Sequence, residues 1–143
     1  MRGVAWGLLI LCLATGVGQA CSCLPGMSNA DRYSGASDVF VGTVRSVGHW
    51  RTKYRIRIER AWKGVPAGKT VDVYSSANGA MCGVELPVGH EVILFAHRVN
   101  NGPSKGQLSA GLCEQPYGFS VSTVNDSLGP PVSVRSKGSW WPW

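Results

Sequence analysis

Residues 52–63 read TKYRIRIERAWK. Tyr54, Ile56 and Ile58 fall on one side of a period of two, and Lys53, Arg55, Arg57 and Glu59 fall on the other. That is the pattern of a strand with one face on a core and the other in water. Upstream, residues 38–47 (DVFVGTVRSV) alternate Val39, Val41, Thr43, Arg45 and Val47 with Phe40, Gly42, Val44 and Ser46. They are β-branched enough for a second strand, and Gly42 marks a bulge or bend in it. Residues 48–51 and 64–68 are turns. Residues 69–75, carrying Val71 and Val73, make a further strand. Pro87-Val88-Gly89 introduces EVILFAH at 91–97, a mostly apolar run suited to a central strand, and 107–113 gives a short fifth one. Ahead of them, residues 28–37 (SNADRYSGAS) have room for a turn or two of helix capped by Ser28 or Asn29.

Five strands separated by turn signals about every ten residues predict a small closed or partly closed antiparallel barrel. Composition agrees. The chain has 143 residues with 44% hydrophobic and 15% charged, enough apolar surface for one globular domain. Nineteen Gly and eight Pro leave little room for a helical bundle. Fourteen basic residues against eight acidic ones make the chain cationic. Residues 127–143 are rich in Ser, Gly and Pro and end Trp140-Trp141-Pro142-Trp143, which reads as a loosely held tail behind a domain at 21–126.

Residues 1–20, MRGVAWGLLILCLATGVGQA, carry one positive charge at Arg2, an apolar run and small residues ending at Ala20. This is the form of a secretory signal peptide. Its apolar core falls short of the roughly 20 residues a bilayer span needs. Cleavage after Ala20 starts the processed chain at Cys21, and the expected location is secreted or periplasmic. Two chemistries are open to Cys21. One is the lipid-modified Cys of a membrane-anchored lipoprotein, although Gly18-Gln19-Ala20 lacks the Leu such a site carries three positions upstream. The other is a disulfide-bonded Cys with a free α-amino group.

Cys12 leaves with the signal, so Cys21, Cys23, Cys82 and Cys113 remain, and an even set in an exported chain favours two disulfides. A bridge from Cys21 to Cys23 would close a very small strained ring, so both N-terminal cysteines are expected to reach Cys82 and Cys113. Each long loop so closed is worth about 4 kcal/mol in the chain-entropy model. A four-thiolate zinc site fits poorly, because the one close pair is a C-x-C.

The Cys-Ser-Cys start, the DVFVGTV strand after a short helix, Ala61-Trp62-Lys63-Gly64, Cys82-Gly83, the Pro87-Val88-Gly89 and Val92-Ile93-Leu94-Phe95-Ala96 strand, and Cys113 follow one another in order. In this the chain resembles the N-terminal domain of the tissue inhibitors of metalloproteinases, and more broadly the netrin-like module. The resemblance runs from Cys21 to about Cys113. It implies a mainly β, five-stranded OB-type barrel with one or two short flanking helices, and disulfides Cys21–Cys82 and Cys23–Cys113. The third disulfide of the animal inhibitor's N-terminal domain and its C-terminal domain have no counterpart here, so the chain looks like a short single-domain version.

The resemblance also implies a role for the processed N-terminus. The α-amino nitrogen and carbonyl oxygen of Cys21 would chelate the catalytic zinc of a metalloprotease, the one metal contact expected. Ser22 would point toward the primed specificity pocket beside Cys23, and the Asn78-Gly79-Ala80-Met81 loop, drawn in by Cys82, would supply a second contact ridge through Ala80 and Met81. A monomer without a cofactor of its own is expected. Against this stand plainer readings: the cysteines as staples only, Met81 as barrel packing, and the whole as an envelope adhesion or scaffold module. Lipidation of Cys21 would acylate the nitrogen the chelate needs and put the protein on a membrane.

Nucleic-acid binding is suggested by Lys53, Arg55 and Arg57 with Trp50 and Trp62 on a barrel. Export separates such a face from most nucleic acid, so a solvated outer face or an acidic partner suits it better. His49, His90 and His97 have neither a nucleophile nor zinc-ligand spacing around them, and H-E-x-x-H is absent from the sequence. The chain reads as a non-enzyme.

Overall fold

The computed structural model describes residues 21–76 and 79–134. The expected signal peptide, Asn78 of the contact loop and the aromatic end of the tail lie outside the described residues. The elements are helix α1 (Asn29–Gly35), strands β1 (Asp38–Val47), β2 (Lys53–Lys63), β3 (Thr70–Tyr74), β4 (Glu91–Arg98) and β5 (Leu108–Ser109), helix α2 (Val124–Leu128) and strand β6 (Ser133–Val134). Short 3-10 turns lie at His49–Arg51, Gly79–Met81 and Leu112–Glu114.

β1 pairs antiparallel with both β2 and β4, β2 with β3, and β4 with β5. The last seam joins β3 to β5 in parallel and closes a five-stranded barrel of OB type. The expectation of purely antiparallel pairing gives way at this seam. Successive strands alternate in direction, so the third and fifth run the same way wherever closure makes them neighbours. The fifth strand is also shorter than its sequence suggests, because the chain turns at Gly111 into the 3-10 turn that brings Cys113 back to Cys23.

β2 buries Tyr54, Ile56 and Ile58 inside the barrel, as its alternation dictates. At Glu59 the register slips: Gly42 pairs with Ile58, but the preceding Val41 pairs with Arg60. The extra residue reverses the parity, so Ala61 rather than Arg60 joins the interior. Gly42 sits at this bulge because a Cβ there would run into the Arg57 carbonyl and the Ile56 side chain.

β1 and β4 are covered on both faces. Phe40, Val44, Leu94 and Ala96 point into the barrel, while Val39, Val41 and Phe95 join a second apolar cluster with Ala36, Trp62 and Val124. Tyr33 of α1 and Phe119 both meet Phe95 edge to face. α1 is held by a reciprocal N-terminal cap: the Asp31 amide donates to Ser28 Oγ (3.2 Å) and the Ser28 amide to Asp31 Oδ2 (3.0 Å).

The segment beyond Ser127, read as the start of a loose tail, is held through Val134. Trp62 Nε1 donates to the Gly129 carbonyl (2.8 Å), β6 pairs with Arg60 and Ala61 of β2, and the Ala67 amide donates to Ser133 Oγ (2.9 Å). β6 takes up β2 where β3 has left it, satisfying backbone groups that a side-chain pattern does not register.

Asp38 is fully buried at the start of β1. Its carboxylate accepts from Ser37 Oγ (2.7 Å), the Val65 amide (2.8 Å) and Arg98 Nη2 (3.0 Å). Gly64, with φ of 78°, lies against it, and a Cβ at this position would collide with the carboxylate. The Asp38 that opens DVFVGTV and the Gly64 that closes AWKG are thus two sides of one contact.

On the outer face, Asp72 of β3 pairs with Lys53 Nζ (2.9 Å) and Arg55 Nε (3.1 Å) across β2. The hydrogen bond from Arg55, then that from Lys53, holds the Asp72 carboxyl below its ordinary value of 3.8. Asp72 therefore releases its proton more readily folded than unfolded. Its stabilising effect is present above pH 3.8 and is lost progressively as pH falls below it. Acid titration of the denaturant midpoint should show a shallower decline in Asp72→Asn than in the parent, by well under about 1 kcal/mol because the cluster is solvated.

Candidate functional site

Three segments converge at one end of the barrel: residues 21–24, the turn Gly79–Met81 with Cys82, and the turn Leu112–Glu114. Cys21 is bonded to Cys82 and Cys23 to Cys113, with Cα separations of 5.2 and 5.3 Å. This is the pairing that the resemblance implies. The sulfurs of Cys21, Cys23 and Cys113 lie within 4.8 Å of one another, so the bridges are packed side by side. As disulfides they present no thiolate to a metal. Such bonds belong to an oxidising compartment. No helix among the described residues is long and apolar enough to cross a membrane.

The loop end is rigid for local reasons. Ser75 Oγ accepts from the Val84 amide (2.8 Å) and closes the mouth of the loop. The Cys82 amide donates to the Gly79 carbonyl (3.0 Å), completing the 3-10 turn, and the Cys82 carbonyl accepts from the Leu112 amide (2.8 Å). Gly83 and Gly111 form a bridge of their own. Cys82 has φ of 58°, a left-handed backbone that a non-glycine residue adopts only where its surroundings enforce it. Here the disulfide and the paired turn do so. On the other side, the Gln115 side chain donates to the Phe95 and Gly111 carbonyls (3.0 and 2.9 Å) and accepts from the Phe95 amide (3.2 Å), fastening the Cys113 turn to β4.

Of the residues singled out by sequence, Cys21 and Cys23 are half-buried and Ser22 between them is exposed. Ala80 is exposed and Met81 is 62% exposed, so Met81 is a surface residue and not part of the barrel interior. Two further apolar residues border the bridges, Leu24 (76% exposed) and Leu112. Sequence reasoning passed over both, and their one signal is adjacency to Cys23 and Cys113. A groove of about 690 Å³ runs from Gly79, Gly83 and Leu112 past Val92 to Phe119.

The other constellations are arranged differently. Trp62 is buried in the second cluster, and Lys53 and Arg55 are both paired with Asp72, so they do not form a row of stacking and cationic groups. His97 lies on β4, paired with Ser109 of β5. Compared with models of known protein families and with curated proteins, the chain matches none.

Proposed function

We propose that the chain is an exported, non-catalytic inhibitor of zinc metalloproteases, of the tissue-inhibitor and netrin-like kind, and that its inhibitory group is the backbone of Cys21. Cleavage after Ala20 frees the α-amino nitrogen. That nitrogen and the Cys21 carbonyl oxygen then chelate the partner's catalytic zinc, occupying the position its water requires. An α-amino group with an ordinary pKa of about 7.7–8 is partly neutral at pH 7, and metal binding displaces the remaining proton. Ser22 faces the primed pocket, and Ala80 and Met81 form the second contact.

The observation that carries this reading is the bond between Cys21 and Cys82, which keeps the exposed turn Gly79–Met81 beside the chain start. Both contact segments are preset, so less ordering entropy opposes association.

Extending the processed N-terminus by one Ala should weaken inhibition of a panel of zinc metalloproteases by about a hundredfold or more, the scale of losing one central polar contact from a tight interface. A wild-type protein that inhibits no member of the panel would sink the proposal and leave an envelope adhesion or scaffold module. Equal inhibition by the extended form would move the activity to another surface. Intact mass decides the precondition: a lipid adduct on Cys21 is incompatible with the chelate.

A further inference from the structure

Arg32 of α1 is only 4% exposed. Its guanidinium lies over the Tyr117 ring, 4.4 Å from the centroid, and Nη2 reaches the Met27 carbonyl at 3.4 Å. Among the described residues, Nε and Nη1 have no hydrogen-bond partner. A buried cation with unmet donors is costly unless something answers it. The same residue lines a cleft of about 410 Å³ between α1 and the end of β4, within the size range of small-molecule sites. Met27, Ala36 and Phe95 give the cleft an apolar lining, and His97 and Arg98 add polar groups.

The acidic side chains at the cleft are already engaged. Asp31 serves the Ser28 cap, and Glu114 accepts from the Gly111 amide (2.7 Å). Arg98 is answered by Asp38. Arg32 is left, among the described residues, as the guanidinium of this cleft without a counter-ion.

The geometry points to a binding cleft for a small monocarboxylate with an apolar body: the carboxylate takes the open donors of Arg32, and the body lies against Met27 and Ala36. One uncompensated guanidinium calls for one negative charge, and a planar carboxylate matches its donors. Tyr117 supplies the way in. Asn29 pins its backbone on both sides, accepting from the Tyr117 amide and donating to its carbonyl (2.9 Å each), while the ring that covers the guanidinium belongs to a residue 62% exposed. Moving that ring uncovers the donors without disturbing the chain. This inference is independent of the inhibitory N-terminus.

The test is an amide chemical-shift titration of the oxidised protein with sodium benzoate, benzyl alcohol and inorganic phosphate, followed at Ala36, Ala96 and His97. Benzoate should give saturable shifts, and benzyl alcohol, which has the same ring without the charge, should bind about tenfold or more weakly. Arg32→Met should erase that preference. Equal binding of benzoate and benzyl alcohol to the wild-type protein, or no saturable shift with benzoate, overturns the site whatever the variant does. Retention of the benzoate preference in Arg32→Met overturns the role of Arg32, and phosphate binding more tightly than benzoate overturns the choice of a carboxylate.

Discussion

Replacing Cys23 and Cys113 together by Ser should lower the unfolding free energy by about 4 kcal/mol, the chain-entropy value for the ring this bridge closes. Although the bridge joins residues 90 apart, the Cys21–Cys82 bridge remains in this variant, so the ring it closes runs from Cys23 through that bridge and on from Cys82 to Cys113, about 35 residues. A small domain has about 5–15 kcal/mol to lose, and the variant should stand near the edge of folding at 37 °C. Urea unfolding under oxidising conditions measures this directly. A loss below about 1 kcal/mol would mean that the Gln115 contacts to Phe95 and Gly111, rather than the bridge, hold the Cys113 turn to the barrel.

Arg98→Ala should be nearly as damaging, at about 3–5 kcal/mol, because it leaves the carboxylate of Asp38 buried with no cation beside it. The reverse change is milder. Asp38→Asn removes the charge yet keeps an oxygen for the Val65 amide, and it leaves behind an arginine that is half-exposed and can turn to water. In the Asp38→Asn background, Arg98→Ala should therefore cost little. A double-mutant cycle by chemical denaturation reads the difference, and additive effects of the two substitutions would refute the account.

These two contacts show what was legible in the sequence. The alternation of Tyr54, Ile56 and Ile58 identifies the inward face of β2, and the same period-two argument identifies β1. An even number of cysteines, in a chain expected to be exported, predicts two bridges. Other features depend on what folding brings into contact. Val39, Val41 and Phe95 are buried on the barrel's outer side because Phe119, Val121, Val124 and Leu128 come to lie over them, and that covering segment has no periodicity to announce it. β6 joins β2 through backbone groups alone. Asp38 and Gly64 read as an ordinary strand start and an ordinary turn until the fold sets one against the other.

The candidate site divides in the same way. Cys21, Ser22, Cys23 and the loop before Cys82 were singled out through the resemblance, and the two bridges bring these segments together in the fold. Leu24 and Leu112 were not, since exposure of an apolar residue is a property of the folded surface. Arg32 was not either: an arginine in a short polar helix reads as a solvated side chain, and only Tyr117, 85 residues away, makes it a buried one.

The two bridges also govern what a cut in the chain would do. Both begin close together, at Cys21 and Cys23, and end at Cys82 and Cys113, so every peptide bond from Leu24 to Leu112 lies inside at least one covalent ring. A nick in the exposed hairpin loop around Gly102, or in the turn at Gly68, opens a ring without releasing a fragment. A clipped copy therefore stays in one piece until a reductant reaches it.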